Sequence, residues 1–159
     1  MPDLTAAVLT VSDSSSSGQR EDLSGPAVRT LLESKGFTVV AIEVVPDHQP
    51  DIEVRLMGLC DRARAVITTG GTGIAERDVT PEATRSVADR IVEGIAERMR
   101  SEGMKKTPLA ALSRGLCAVR GRSLILNLPG SPKGATESLA AVIDLLPHAL
   151  DLLAGQTKH

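Results

Sequence analysis

The sequence predicts an α/β fold: a three-layer α/β/α sandwich around a mostly parallel sheet. Short apolar segments that suit buried strands alternate with longer segments whose apolar residues recur at helical spacing. A glycine-rich turn follows one of these strands and leads into a helix start, as is common at ligand-binding edges of such sheets. The 159 residues suffice for one well-buried core and are too few for two ordinary domains. Residues 1–159 are therefore expected to form a single domain.

The first half of the chain is expected to hold three strands and two helices. Apolar runs predict strands at residues 4–11, 37–45 and 65–68. Helical spacing of apolar residues predicts helices at residues 26–35 and 51–64. Between the first strand and first helix, residues 12–21 are polar and are expected to form a loop, with a mobile serine run at 14–17.

The second half begins with a long helical pattern over residues 81–100, with a possible break near Gly94. A short helix follows at residues 107–114, and strands at 116–119 and 123–128 are joined by a tight turn at Gly121. Ser131 is placed to cap a last helix, which Pro147 kinks or ends before a final turn at residues 149–153.

Composition excludes several function classes. The formal net charge of −2 gives no long-range attraction for nucleic acid or an anionic membrane, and Phe37 is the only aromatic residue on which a base could stack. No apolar run approaches the ~18 residues of a membrane span, and the start lacks the basic residues of a signal peptide. Cys60 and Cys117 have no metal-site spacing and fit buried thiols. We expect a cytoplasmic protein that binds neither nucleic acid nor membrane.

The glycine-rich turn is the strongest chemical signal. It has the sequence Thr69-Gly70-Gly71-Thr72-Gly73, followed by Asp78 five residues after the last glycine. Ile74 stands where a Walker loop has lysine, and Glu76 where the dinucleotide fingerprint has its last glycine, so both of these loops are excluded. Glycines let backbone N–H groups approach an anion, and a nearby carboxylate can hold Mg²⁺ against bound phosphate. Thr80-Pro81-Glu82 then predicts a helix with Thr80 as its N-cap.

Three predicted strands are followed by an aspartate at the same sheet edge, namely Asp13, Asp47 and Asp78. Together with the glycine loop, this arrangement favours a metal–phosphate site over three unrelated turn residues. Asp78 is the strongest candidate, because Thr80 is predicted to take the capping role. Asp47 could equally be an N-cap for the helix near Pro50.

A second candidate anion site lies where the last strand leads into the last helix. It has the sequence Asn127-Leu128-Pro129-Gly130-Ser131-Pro132, with Lys133 in the first helical turn. Exposed N–H groups at such a helix start attract a phosphate or an acidic pterin edge. An ordinary turn with a capping serine is the alternative.

These motifs together resemble those of the MoaB/Mog family of molybdopterin-binding proteins in molybdenum-cofactor biosynthesis. The resemblance is carried by the stretch from Thr69 through Asp78 to Thr84, by Val11-Ser12-Asp13 with Gly18 to Pro26, by Ile42 to Asp47, by the region from Ala88 to Arg100, and by Asn127 to Gly134. It runs in order along nearly the whole chain. The fold that it implies is the molybdopterin-binding domain fold.

The resemblance implies an enzyme, a molybdopterin adenylyltransferase, which transfers AMP from Mg-ATP to the terminal phosphate of molybdopterin and releases pyrophosphate. It implies Asp47 and Asp78 as catalytic, Mg²⁺-binding residues. The implied pterin- and phosphate-binding residues are Thr69, Gly70, Gly71, Thr72, Gly73, Pro129, Gly130 and Ser131. The implied nucleotide-binding residues are Ser12, Asp13 and Asp22. Arg77 or Lys133 could offset developing charge. ATP is a co-substrate, other proteins of the pathway are partners, and a homotrimer or homohexamer is expected.

Two alternatives remain open at the level of sequence. Ser14 stands where many members of the family have arginine, and Val92-Glu93-Gly94 replaces a proline–glycine step. The chain could therefore be a non-catalytic pterin- or nucleotide-binding scaffold of the same pathway. It could also be a competence-damage-type enzyme that acts on a different nucleotide.

Overall fold

A six-stranded mixed sheet forms the centre of the computed structural model, which describes residues 3–156. The strands are β1 (Thr5–Val11), β2 (Thr38–Val45), β3 (Ala65–Thr69), β4 (Arg90–Ile91), β5 (Cys117–Arg120) and β6 (Ser123–Leu128). Their order across the sheet is β2-β1-β3-β6-β5-β4. The pairs β1–β2, β1–β3 and β3–β6 are parallel, while β5 is antiparallel to both β6 and β4. The predicted mostly parallel sheet is confirmed.

Helices cover both faces of this sheet. They are α1 (Asp13–Ser16), α2 (Ser24–Ser34), α3 (Gln49–Cys60), α4 (Thr80–Val87), α5 (Glu93–Met104), α6 (Pro132–Val142) and α7 (Leu146–Leu153), with 3₁₀ turns at Pro108–Leu112 and Ile143–Leu145. Buried residues of α2, α5, α6 and α7 belong to one hydrophobic cluster, and those of α3 and α4 to another. The predicted three-layer α/β/α sandwich is therefore confirmed.

Side-chain alternation along β1 explains how one strand serves both clusters. Ala6 and Val8 point into the first cluster, whereas Ala7, Leu9 and Val11 point into the second. All five are almost completely buried. This is the pattern of a central parallel strand that is covered on both faces, as the continuous apolar run predicts.

The prediction of one helix over residues 81–100 is wrong. Ala88 is extended, with ψ of 143°, and ends α4, and β4 then pairs with β5 at the edge of the sheet. Backbone N–H groups of Asp89 and Val92 donate to Val119 and Cys117 on the partner strand, at 2.7 and 2.8 Å. The pairing with β5 replaces helical hydrogen bonds, so Gly94 lies in the first turn of α5 and is not the break.

Two other local predictions need correction. The serine run forms the helical turn α1, because the Ser12 hydroxyl accepts from the Ser15 N–H at 3.2 Å. At the other end of the chain, Pro147 neither kinks nor ends a helix but lies in the first turn of α7, where proline is favoured. Proline has no backbone N–H, but in the first turn of a helix an N–H would have no partner within the helix anyway.

The two cysteines are buried and free, as predicted. Burial raises the pKa of the Cys60 thiol to about 11 and that of Cys117 to about 12, so both thiols stay protonated at neutral pH. Within residues 3–156, no helix combines the length and the apolar character that crossing a membrane requires.

Candidate functional site

A polar cleft of about 350 Å³ opens at the carboxyl ends of β1, β2, β3 and β6. The loops that follow these strands form its walls. Among its lining residues are Ser12, Asp22, Asp47, Thr69, Gly70, Gly71, Arg77, Asp78, Gly130 and Ser131. The fold thus brings both predicted catalytic aspartates, part of the glycine loop and part of the second anion loop to one place.

Asp13 and Asp47 join the loops after β1 and β2 by a reciprocal pair of hydrogen bonds. The Asp13 N–H donates to Asp47 Oδ2 at 3.0 Å, and the Asp47 N–H donates to Asp13 Oδ1 at 2.8 Å. The N-cap of α3 is His48, and no side chain makes a capping hydrogen bond there. The alternative role of Asp47 as a plain helix cap is therefore excluded, and its carboxylate faces the cleft.

The environment of Asp47 disfavours its charged form. Burial raises the pKa of Asp47 above the ordinary aspartate value, and the negative charges of Asp13 and Asp78 raise it further. The Asp13 N–H and the Arg77 guanidinium act in the opposite direction. A carboxylate that is half-buried beside other carboxylates is a favourable partner for a cation.

The glycine loop needs glycine for steric reasons. Gly70 and Gly71 have φ of +102° and +68°, a region that side chains rarely adopt. A Cβ on Gly70 would clash with the Val11 carbonyl, and one on Gly71 would clash with the Thr80 hydroxyl and lie 3.3 Å from Asp47 Oδ1. The loop therefore packs directly against the β1 end and against the Asp47 carboxylate.

Thr80 does not cap α4 as predicted. Its hydroxyl donates to the Gly70 carbonyl at 2.9 Å, and its N–H donates to the Gly71 carbonyl at 3.1 Å. The N-cap position belongs to Val79, whose side chain makes no capping bond. Buried Thr80 instead closes the glycine loop back onto the start of α4.

Asp78 stabilises its own turn as well as facing the cleft. Its Oδ2 accepts from the Ala75 N–H at 3.0 Å, while its own N–H donates to the Ala75 carbonyl at 2.9 Å. A Cβ on Gly73 would lie 2.8 Å from the same Oδ2. One carboxylate oxygen is thus fixed by the turn, which leaves Oδ1 for a ligand.

Arg114 is a residue of this region that the sequence did not reveal. It donates to the carbonyls of Gly73 and Asp78, and it pairs with Glu82 at 2.7 Å. Asn127, which begins the second predicted anion loop, has a buried side-chain amide that donates to the Thr68 and Thr84 hydroxyls and accepts from the Leu116 N–H. The partners of Arg114 lie on other elements, so local spacing carried no signal for that residue.

The second anion loop meets the first one closely. Thr69 Oγ1 donates to the Pro129 carbonyl at 2.6 Å, and a Cβ on Gly130 would lie 3.4 Å from Gly70 Cα. Ser131 caps α6 by accepting from the Gly134 N–H at 3.0 Å, as predicted. Lys133 is not among the residues that line the polar cleft.

The predicted pterin- and phosphate-binding residues are divided between two cavities. Thr69, Gly70, Gly71 and Gly130 line the polar cleft, whereas Thr72, Gly73 and Pro129 line a neighbouring cavity of about 550 Å³. Ser131 lines both. Leu109, Leu112 and Ala140 are among the apolar residues of the second cavity. The glycine loop therefore separates a polar cleft from a more apolar one.

The three predicted nucleotide-binding residues differ in whether their side chains are already engaged in hydrogen bonds within the protein. Ser12 lines the polar cleft. The Asp22 carboxylate is already engaged, because it accepts from the Thr10 hydroxyl at 2.8 Å and from the Gly25 N–H at 3.0 Å, and so fixes the start of α2. Asp13 lines an adjoining cleft and is engaged with Asp47. Arg20, which sequence reasoning did not select, adds a positive side chain to the polar cleft.

A family comparison and a sequence comparison both relate this chain to proteins of molybdenum-cofactor synthesis. Residues 7–148 match a family described as "Probable molybdopterin binding domain". A molybdopterin adenylyltransferase of Helicobacter pylori (strain J99) is 42% identical over 159 residues, which cover 98% of this chain and 90% of that protein. The molybdenum cofactor synthesis protein cinnamon of Drosophila melanogaster is 44% identical over 99% of this chain, which spans only 27% of that relative.

A solved structure shares the whole architecture. The crystal structure of the molybdopterin biosynthesis enzyme MoaB from Thermus thermophilus matches with a TM-score of 0.90 and 54% sequence identity. The match covers 96% of this chain and 97% of that one. Because these matches extend over nearly the whole chain, they include every loop of the polar cleft.

Proposed function

The chain belongs to the MoaB/Mog family of molybdopterin-binding proteins, and we propose that it is a molybdopterin adenylyltransferase of molybdenum-cofactor biosynthesis. In this proposal it transfers AMP from Mg-ATP to the terminal phosphate of molybdopterin and releases pyrophosphate. The reaction would take place in the polar cleft. We further propose that the working form is a cytoplasmic homotrimer or homohexamer.

The observation that carries the proposal is the meeting of Asp47 and Asp78 in one cleft with the glycine loop between them. Nucleotidyl transfer requires accurate placement of phosphates and neutralisation of their charge more than it requires a covalent catalyst. A loop whose glycines leave its backbone accessible, together with two carboxylates, meets these two requirements. Arg20 and Arg77, which line the same cleft, add positive charge near the phosphates.

The donor set fits Mg²⁺. Within residues 3–156, no three or more His, Cys, Asp or Glu side chains group closely enough to hold a metal. Two aspartates alone match Mg²⁺, which keeps several waters and binds one or two carboxylates together with substrate phosphates. The raised pKa of Asp47, caused first by burial and then by neighbouring carboxylates, is consistent with a position that a cation would stabilise. Bound Mg²⁺ would supply neutralisation of phosphate charge.

The chain's own residues would then have distinct tasks. Asp47 and Asp78 would hold the cation through their oxygens that face the cleft, since one oxygen of each already accepts a backbone N–H. Gly70 and Gly71 would allow phosphate to approach the backbone closely. Ser131, at the N-terminus of α6, would orient an anionic group of the pterin substrate.

The decisive experiment combines purified protein, Mg-ATP and molybdopterin, with pyrophosphate and adenylylated pterin measured together. We expect both products in equal amounts from the wild-type protein. Asp78→Asn should lower turnover at least 100-fold, because it removes the charge that holds the cation, while an asparagine oxygen can still accept from the Ala75 N–H. Asp144→Asn is the matched control, since Asp144 is an exposed carboxylate that forms an ion pair with Lys35.

Two results would contradict the proposal. Near-normal turnover by Asp78→Asn would remove this residue from the catalytic site. Tight pterin binding by the wild-type protein without any pyrophosphate would indicate the non-catalytic scaffold instead.

A further inference from the structure

We propose that Arg114 is a positioning residue that fixes the segment 73–78 and thereby orients the Asp78 carboxylate. The inference rests on the proposed function, which gives Asp78 its role. Arg114 lies outside all the loops that line the polar cleft and comes after the 3₁₀ turn Pro108–Leu112. Its effect would therefore be indirect.

Arg114 spans the segment from one end to the other. Its Nε–H donates to the Gly73 carbonyl at 2.8 Å, and its Nη2 donates to the Asp78 carbonyl at 2.7 Å. The Arg114 backbone N–H also donates to the Thr72 carbonyl at 2.8 Å. One planar guanidinium therefore holds both ends of the turn, which sets the distance between them.

The segment has little other anchorage. Ile74 is 69% exposed, and Ala75, Glu76 and Arg77 are exposed as well. Burial of an apolar side chain in the core therefore does not stabilise this turn. Apart from the Asp78–Ala75 bonds within the turn, the hydrogen bonds that tie this segment to other parts of residues 3–156 come from Arg114.

Glu82 in turn orients Arg114. Its two carboxylate oxygens accept from Nη1 at 2.7 Å and from Nη2 at 3.2 Å. The hydrogen bond from Arg114 lowers the pKa of Glu82, so this carboxylate stays charged at neutral pH. A lysine has three N–H donors on a single nitrogen, so it cannot reproduce the bonds that Arg114 makes from three separate nitrogens to two carbonyls and a carboxylate.

The test compares Arg114→Gln, Arg114→Lys and Glu82→Gln with the wild-type protein. Arg98→Gln is the matched control, because Arg98 is an exposed arginine that also donates to one carbonyl, that of Ala141 on α6. Three quantities are measured: kcat for adenylylation, the Mg²⁺ concentration that half-saturates ATP binding, and amide hydrogen exchange across residues 72–82. Circular dichroism reports whether each variant is folded.

We expect Arg114→Gln and Arg114→Lys to lower kcat about 10- to 100-fold, the range expected when a catalytic group is misplaced by about an ångström. The half-saturating Mg²⁺ concentration should rise several-fold, and the Ala75 and Asp78 amides should exchange faster while the core strands do not. Glu82→Gln should act in the same direction but less strongly. In an Asp78→Asn background, Arg114→Gln should leave Mg²⁺-dependent ATP binding unchanged, because its target has already been removed.

The inference is overturned if folded Arg114→Gln behaves like Arg98→Gln in all three measurements, or if its Mg²⁺ effect persists undiminished in the Asp78→Asn background. A wild-type protein that forms no adenylylated pterin would overturn the proposed function instead. Hydrogen exchange would then still test whether Arg114 holds the segment, so the two failures are distinguishable.

Discussion

Asp47 illustrates at the residue scale how a functional group lowers stability. Because burial, with Asp13 and Asp78, raises its pKa in the folded state, the folded protein binds a proton there more readily than the unfolded chain does. The charged carboxylate is therefore a cost at neutral pH. This cost disappears as the pH falls through the raised pKa of Asp47 towards the ordinary value of 3.8.

We therefore expect Asp47→Asn to raise the free energy of unfolding at neutral pH while lowering turnover. The gain in stability should shrink as the solution is made more acidic. Urea unfolding between neutral and acidic pH measures it, followed by circular dichroism because the chain has no Trp or Tyr. Asp144→Asn serves as the exposed control, with no such trend. A constant difference at every pH would show that charge at Asp47 is not the cause.

At the residue scale, the sequence indicated which side chains would meet where strand ends gave a signal. Asp47 and Asp78 follow strands that end at one sheet edge, so their meeting in one cleft could be anticipated. The role of Arg114 could not be anticipated from the sequence, because its partners lie more than thirty residues away in the chain. The sequence around it marks no motif, and only the folded turn shows which carbonyls it holds.

At the scale of elements, the glycines of the glycine loop have less space for a side chain than a glycine in a regular helix. Gly71 has φ of +68°, and a Cβ there would clash with the Thr80 hydroxyl; Gly73 has no positive φ, but a Cβ would lie 2.8 Å from Asp78 Oδ2. Gly58, within α3, has open space around its Cβ position. The same substitution should therefore have three different effects.

Gly71→Ala should destabilise the fold by about 2 kcal/mol, because the left-handed backbone is strained for any side chain. Gly73→Ala should change stability less but lower turnover, since it displaces the Asp78 carboxylate. Gly58→Ala, the control, should stabilise the protein by about 0.5–1 kcal/mol, the usual gain for alanine over glycine in a helix. Thermal unfolding and the adenylylation assay measure all three. Equal losses of stability for Gly71→Ala and Gly73→Ala would contradict this assignment of roles.

Element prediction was accurate for the five longer strands, but it missed the short strand β4 and was less accurate for helix boundaries. The central strands have continuous apolar runs, which leave few alternatives. The segment after α4 has helical periodicity and still forms the short strand β4, since Arg90 and Ile91 pair with the exposed edge of β5. Pairing with a strand that is distant in the chain overrode the local preference for a helix. Such long-range pairing cannot be recognised from a local sequence pattern.

At the scale of the whole molecule, the parallel sheet brings four loops to one edge and so collects carboxylates that are far apart in the chain. The formal net charge is only −2, so the acidic character of the cleft is local. Without a cation, Asp47 and Asp78 should repel the phosphates of ATP; with Mg²⁺, the same pair should bind them. The arrangement links nucleotide binding to the cation.

The last prediction follows from this linkage. ATP binding, measured by calorimetry, should be at least tenfold tighter with Mg²⁺ than in the presence of a chelator, because a cation between two carboxylates and phosphate turns repulsion into attraction. In Asp47→Asn/Asp78→Asn, the repulsion and the ligands disappear together. ATP should then bind with nearly the same affinity with and without Mg²⁺, and more tightly than wild type in chelator. An Asp51→Asn/Asp144→Asn protein controls for the loss of two charges, since both carboxylates are exposed and neither lines the polar cleft. If the cleft double variant keeps the full Mg²⁺ dependence, the cation binds ATP alone and the two aspartates have another role.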